Sequence, residues 1–358
     1  MKMTFRWYGT NDVISLAHIK QIPGISGVVS SLVDIPVGEV WQKKDIKNLQ
    51  DEVHAHGLRL EIIESVNVHE DIKLGLPSRD KYIQNYKETL KNLSEFGIET
   101  VCYNFMPIFD WTRTELAKEL EDKSTVLSFD YEQLKDLSAK ELIERIKKDS
   151  NDMDLPGWEN ERLDKIEGLF KAYEKVDEEQ LWKNLEYFLK EIIPYAQNCN
   201  IKMAIHPDDP PFSIFGLPRI MTCARNLQRV LDIIPSAYNG LALCSGSLGP
   251  NEDNDIPSMI RDFGAQGKIH FAHVRNVKRK SEKSFHESSH LSSDGSLDIY
   301  EIMKAYNDIN FEGHIRPDHG RMIWGEEGMP GYGLYDRALG ITYLNGLNEA
   351  ISKAKNKE

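Results

Sequence analysis

Short runs rich in β-branched and aromatic residues alternate along this chain with longer stretches whose apolar side chains recur at helical spacing. Eight segments read as strands: Met3–Tyr8, Ser26–Leu32, Leu58–Ser65, Thr100–Pro107, Ile201–Pro207, Gly240–Gly246, Lys268–Asn276 and Gly313–His319. Helical patterns lie between them, at Val37–His56, Arg79–Phe96, Glu179–Asn198, Arg219–Ile234 and Leu297–Asn307. Strands alternating with helices argue for parallel βα units, and eight units are the number that closes a (β/α)8 TIM barrel. The alternative, a doubly wound sheet, usually has fewer strands and often carries a Gly-rich phosphate turn. No GxGxxG or Walker pattern follows any strand here. The expected fold is therefore an α/β barrel forming a single domain over residues 1–358.

One stretch breaks the rhythm. Ile108 to Asp177 follows the fourth strand, is dense in charge and has helical spacing in places. It is expected to be a helical insertion at the C-terminal mouth of the barrel. A solvated decoration is the plain reading; a lid or a subunit contact is the sharper one.

Composition narrows the function classes. A net charge of −13 sets the global field against nucleic acid and anionic membranes. No window approaches the ~20 apolar residues of a membrane span. The opening MKMTFRWYGTND lacks an apolar run of signal-peptide length, so a cytoplasmic protein is expected. Cys102, Cys199, Cys223 and Cys244 lie far apart, without disulfide density or CxxC spacing.

In such a barrel, chemistry gathers where the strands end. The fifth to eighth strand ends carry His206, Cys244, His273 and Asp318 in turn. Alone, each has a bland explanation: a polar cap for a histidine, a small buried hydrophobe for the cysteine, a turn former for the aspartate. Four ligand-type residues on four successive strand ends point instead to a divalent metal site. The mixed N, S and O donors suit Zn2+, Fe2+ or Mn2+. Arg275 and Arg316 share faces with His273 and Asp318. Arg6 and Trp7 after the first strand, Glu64 after the third and Asn104 after the fourth complete a polar pocket. Such a pocket suits a hydroxylated substrate, with arginines for a carboxylate.

These residues lie within longer motifs. FRWYG (5–9), ESVNVHEDIKLG (64–75), YNFMPIFDWTRT (103–114), IHPDDPPF (205–212), CSGSLG (244–249), IHFAHVRN (269–276), FHES (285–288) and RPDHGRMIWGE (316–326) together resemble the mannonate dehydratases. That family belongs to the xylose-isomerase-like barrels, and the resemblance runs over nearly the whole chain. It implies conversion of D-mannonate to 2-dehydro-3-deoxy-D-gluconate in hexuronate breakdown. It also implies a Mn2+ or Fe2+ ion on His206, Cys244, His273 and Asp318, and a homo-oligomer such as a dimer. A metal-dependent sugar isomerase or epimerase of the same superfamily is the alternative. For proton transfer, His319 is the leading candidate, because alternation turns it away from the Asp318 face and its ordinary pKa near ~6.5 suits neutral pH. Tyr332, in a Gly-rich loop, is its candidate partner if that loop folds over the mouth. His286 is a further loop candidate for contact with substrate.

Overall fold

The computed structural model describes residues 1–135, 141, 143–144 and 166–355. Much of the expected insertion, including the run after Lys135, therefore lies outside the described residues.

Eight parallel strands close the barrel: β1 (Lys2–Arg6), β2 (Ile25–Ser30), β3 (Arg59–Glu64), β4 (Thr100–Tyr103), β7 (Lys202–Ile205), β8 (Asn239–Cys244), β9 (Ile269–His273) and β12 (His314–Arg316). Each begins within one residue of the segment expected from the sequence; β4, β9 and β12 end three or four residues sooner than expected, and the other five end within two. Helices of the outer ring include Lys43–Ala55, Arg79–Ser94, Glu178–Asn198, Ala224–Ile233 and Ile299–Asp308. A closing helix, Tyr335–Lys355, continues into the C-terminal tail.

Alternation along the strands builds the interior in layers. Val29, Ile62, Cys102, Ala204, Ala242 and Phe271, one from each of six strands, form one apolar layer inside the barrel. Two residues further along five of those strands come Glu64, Asn104, His206, Cys244 and His273. Polar chemistry thus stands one layer above an apolar floor, at the C-terminal end.

The start of the insertion is not helical. Glu115–Glu119 and Thr125–Phe129 form strands β5 and β6, which join β10 (Val277–Ser281) and β11 (Ser284–Glu287) in a four-stranded sheet of order β10-β11-β6-β5. The helical expectation for this part of the stretch fails because sheet pairing overrides local preference. Phe129 pairs with Phe285 across the β6–β11 ladder and stacks on it at 5.8 Å, while Leu116 and Leu127 are buried.

A buried histidine near the lower end of the barrel gives the fold a pH dependence. His270 contacts the Met203 carbonyl through Nδ1 at 3.0 Å, and burial lowers its pKa to about 4. The unfolded chain, with a histidine pKa near ~6.5, binds the proton that the folded chain refuses. Stability from this group is present above ~6.5 and is lost as pH falls towards 4, by about 3 kcal/mol. Urea unfolding from pH 7 to 4 is expected to be shallower in His270→Asn. An unchanged slope would rule this group out.

Candidate active site

His206 follows β7 and its Nδ1 meets the Pro207 carbonyl at 2.7 Å. A carbonyl only accepts, so Nδ1 carries the proton and Nε2 presents a lone pair. That Nε2 lies 3.2 Å from Nδ1 of His273. The far nitrogen of His273, Nε2, accepts Arg316 Nε at 3.1 Å, with Glu64 Oε1 3.3 Å away and itself accepting Arg316 Nη2 at 2.8 Å. Cys244 completes a cluster whose three donor atoms lie within 4.8 Å of one another. Two imidazole nitrogens and a thiol sulfur converging on one point are a donor set that a divalent transition metal satisfies, taking the place of any proton between the two rings.

Asp318 lies just past the end of β12, in the left-handed conformation at φ 59°. Its Oδ2 is 3.4 Å from the Cys244 sulfur and 3.9 Å from His273 Nδ1. The carboxylate also receives Arg275 Nε at 2.6 Å and Arg316 Nη2 at 2.7 Å. Burial would raise its pKa, but Arg316, His319 and Arg275 outweigh that and hold it well below the usual range. Asp318 therefore stays anionic at the edge of the cluster.

Arg275 does not face a cavity, contrary to its expected role at substrate. Its Nη1 meets Glu287 at 2.6 Å, its Nη2 meets Asp209 at 2.6 Å and Ser247 at 3.2 Å, and its Nε serves Asp318. Every N–H group of the fork points into protein, so Arg275 aligns carboxylates instead of holding a ligand. It passes directly beneath Gly246, where a Cβ would come within 2.4 Å of its side chain. Arg113 extends the network, with both terminal nitrogens on Asp209 at 2.7 and 3.0 Å and one on Glu287 at 2.8 Å.

Glu287 governs His319. Burial would raise its pKa, but Arg275, His319 and Arg113 keep it ionised. It can only accept, so His319 Nδ1, 3.3 Å away, must carry a proton. His319 Nε2 then has a free lone pair and receives the Tyr332 hydroxyl at 2.7 Å. Burial lowers the His319 pKa, against the opposing pull of Asp318, favouring the neutral ring. The Tyr332 loop does fold over the mouth, because Arg337 bonds the carbonyls of Tyr332 and Gly333.

A cavity of about 90 Å3 joins these groups, lined by Arg6, Glu64, Asn104, His206, Arg316, Asp318, His319 and Tyr332 among others. Among the described residues, three buried atoms of its lining side chains lack a hydrogen-bond partner: Arg316 Nη1, a donor, Glu64 Oε2, an acceptor, and the Tyr103 hydroxyl. A second cavity of about 480 Å3 shares Arg6, Ser65 and Asp110 with it but holds none of the cluster residues. The chemistry belongs to the smaller one.

Two other expectations fail. Trp7 points out of the barrel into the core, while its neighbour Tyr8, in phase with Arg6, lines the cavity. His286 lies on the opposite face of β11 from Glu287, with Nδ1 on the Glu287 carbonyl at 2.7 Å, and lines neither cavity. Sequence reasoning missed Glu287, Asp209 and Arg113. The acid in FHES beside a candidate histidine is the available signal, and the short strand β11 that carries it has no local signature of its own. Arg321 clamps Asp336 at 2.9 Å and Asp122 at 3.1 Å, away from the cavity.

Fold and site together define a (β/α)8-barrel enzyme with a His-Cys-His cluster that could hold a metal and a hydrogen-bonded Glu287–His319–Tyr332 chain at its C-terminal mouth. The D-mannonate dehydratase (UxuA) family model matches residues 1–358. Mannonate dehydratase of Thermotoga neapolitana is 58% identical, over all of this chain and 99% of its own. Mannonate dehydratase 2 of Halalkalibacterium halodurans is 56% identical, over 98% of this chain and all of its own. The crystal structure of mannonate dehydratase from Streptococcus suis serotype 2 superposes with a TM-score of 0.91 at 43% identity, covering 99% of this chain and 96% of that one. An L-ribulose 3-epimerase at 11% identity and a TM-score of 0.55, covering 99% and 97%, shares the fold alone. This chain belongs to the D-mannonate dehydratase family, a family of hydro-lyases.

Proposed function

We propose that the small cavity takes D-mannonate and eliminates water from it, giving 2-dehydro-3-deoxy-D-gluconate. The observation that carries this reading is the Glu287–His319–Tyr332 array, which ends in the cavity beside the His206, Cys244 and His273 donors.

The reaction removes the proton on C2, next to the carboxylate, and expels the hydroxyl on C3. Arg316 Nη1 and Arg6 are the groups available for the substrate carboxylate, and Glu64 Oε2 is available for a hydroxyl. Asn104 lines the same wall. His206, Cys244 and His273, with Asp318 at the edge, would hold a Mn2+ or Fe2+ ion. When bound, the ion supplies Lewis acidity that stabilises negative charge on the substrate oxygens near C2. His319 Nε2 is the base in reach, because Glu287 fixes its proton on the other nitrogen. Tyr332, already an O–H donor, gives its proton to the departing hydroxide, which leaves as water.

Among the described residues no helix is long and apolar enough to cross a membrane. A cytoplasmic place in hexuronate breakdown and a homo-oligomeric state belong to this same reading.

The test is an assay on chelator-stripped protein with metals returned one at a time. Stripping is expected to abolish formation of the 2-keto-3-deoxy acid, with Mn2+ or Fe2+ restoring it. Cys244→Ala is expected to need far more metal for the same rate. Activity indifferent to stripping would exclude the metal role, and an epimerised acid as sole product would favour the epimerase alternative.

A further inference from the structure

Asp318 and His319 stand in a short loop that is pinned on both sides. Past them, Gly320 N–H donates to the Gly331 carbonyl at 2.9 Å and Arg321 N–H to Asp336 at 2.8 Å. Before them comes Pro317, which has no N–H, so its carbonyl is its one hydrogen-bonding group. His290 takes that carbonyl, with Nε2 2.8 Å from the oxygen. A carbonyl only accepts, so Nε2 carries the proton. His290 Nδ1 has no hydrogen-bond partner among the described residues, which leaves Pro317 as the contact that uses this ring.

The bond fixes the plane of the Pro317–Asp318 peptide, on which the φ angle of Asp318 depends. Asp318 is held at φ 59°, in the left-handed region that residues with a Cβ seldom adopt. A peptide plane released from His290 would turn over and let Asp318 relax to a negative φ. The Asp318 carboxylate would then leave Arg275, Arg316 and the edge of the cluster. His319 would lose its line to Glu287 and Tyr332. The His290 ring is itself buried against the closing helix, Tyr335–Lys355. A Cβ on Gly340 would come within 2.5 Å of its Nδ1, so glycine is what leaves room for the ring.

We propose that His290 is a positioning residue for this site, acting through the Pro317 carbonyl to aim Asp318 at the His206–Cys244–His273 cluster and His319 at substrate. The proposal rests on the dehydratase reading above. His290 lines neither cavity, so it acts without meeting substrate.

His290→Gln offers an amide N–H close to where Nε2 stood, and His290→Leu fills similar space without a donor. Gly340→Ala keeps the histidine but displaces its ring, although alanine suits a helix better than glycine. With the full chain, D-mannonate and saturating Mn2+, His290→Leu and Gly340→Ala are each expected to lose about tenfold or more in kcat. Direct Mn2+ titration of the chelator-stripped proteins is expected to show about tenfold weaker binding in both, the range for a lost supporting hydrogen bond. His290→Gln is expected to recover most of each loss, which a role in packing alone would not give. Gly340→Ala carries the test if His290→Leu does not fold. Leucine and alanine variants within about twofold of wild type in both kcat and Mn2+ affinity would overturn the proposal. So would a His290→Gln variant no better than His290→Leu. Wild-type protein that leaves D-mannonate unchanged would overturn the dehydratase reading itself, while the Mn2+ titration still reads the hold of His290 on Asp318. An active wild type with unaffected variants would overturn only the role of His290.

Discussion

His319→Ala is expected to lower kcat by about 10²- to 10⁴-fold, the range for loss of a positioned acid–base group. His319 lines the cavity, and its Nε2 lone pair is fixed in direction by an ionised partner and capped by the Tyr332 hydroxyl. Glu287 holds the proton on Nδ1, and burial keeps the ring neutral, so Nε2 is ready to accept. Alanine leaves His206, Cys244 and His273 in place, so metal content, measured on the purified variant, is expected to match wild type. KM is expected to change little, because Arg316, Arg6 and Glu64 remain to bind substrate. Single-turnover kinetics on metal-replete protein measures the chemical step directly. A variant within about threefold of wild-type kcat would remove His319 from proton transfer.

Arg113→Ala is expected to cost about 3–5 kcal/mol of stability, the usual loss when one partner leaves a buried ion pair. Arg113 is fully buried, grips Asp209 with both terminal nitrogens and reaches Glu287 with one of them. Without it, Arg275 is, among the described residues, the one arginine still in salt-bridge contact with both Asp209 and Glu287, and Arg275 also serves Asp318. Two desolvated carboxylates would then be under-neutralised. Arg113→Lys is expected to fall between, because an ammonium cannot match the fork that spans both acids. Urea denaturation gives the comparison, with a lower midpoint at unchanged slope as the expected sign. A shift under about 1 kcal/mol would mean that the network tolerates an unpaired charge. The same variant is expected to lose activity beyond its loss of fold, because Glu287 then orients His319 less firmly.

The reach of sequence reasoning differed sharply between the barrel and the parts laid over it. Each barrel strand repeats a local pattern, an apolar run ending in a polar residue at a turn, and that pattern survives in one dimension. His206, Cys244 and His273 could be read as one cluster because strand ends in a closed barrel meet at a common height. The four-stranded sheet offered no such regularity. Its pairs join Phe129 to Phe285 and Ser128 to His286, more than 150 residues apart, so no window of sequence contains the pairing.

Sequence by itself therefore determined the eight βα units, the family motifs and the three ligand-type residues of the cluster. Tertiary structure decided the roles of the charged residues around them. Whether an arginine meets substrate or carboxylate depends on which acids come within 3 Å of it, and those acids come from distant segments. Arg275 was drawn away from the cavity by Glu287, Asp209 and Asp318, while Arg316 kept one free N–H in the cavity wall. Tyr8 took the place expected of Trp7 because side chains alternate along β1 and beyond its end, and only the closed barrel fixes which face is inside.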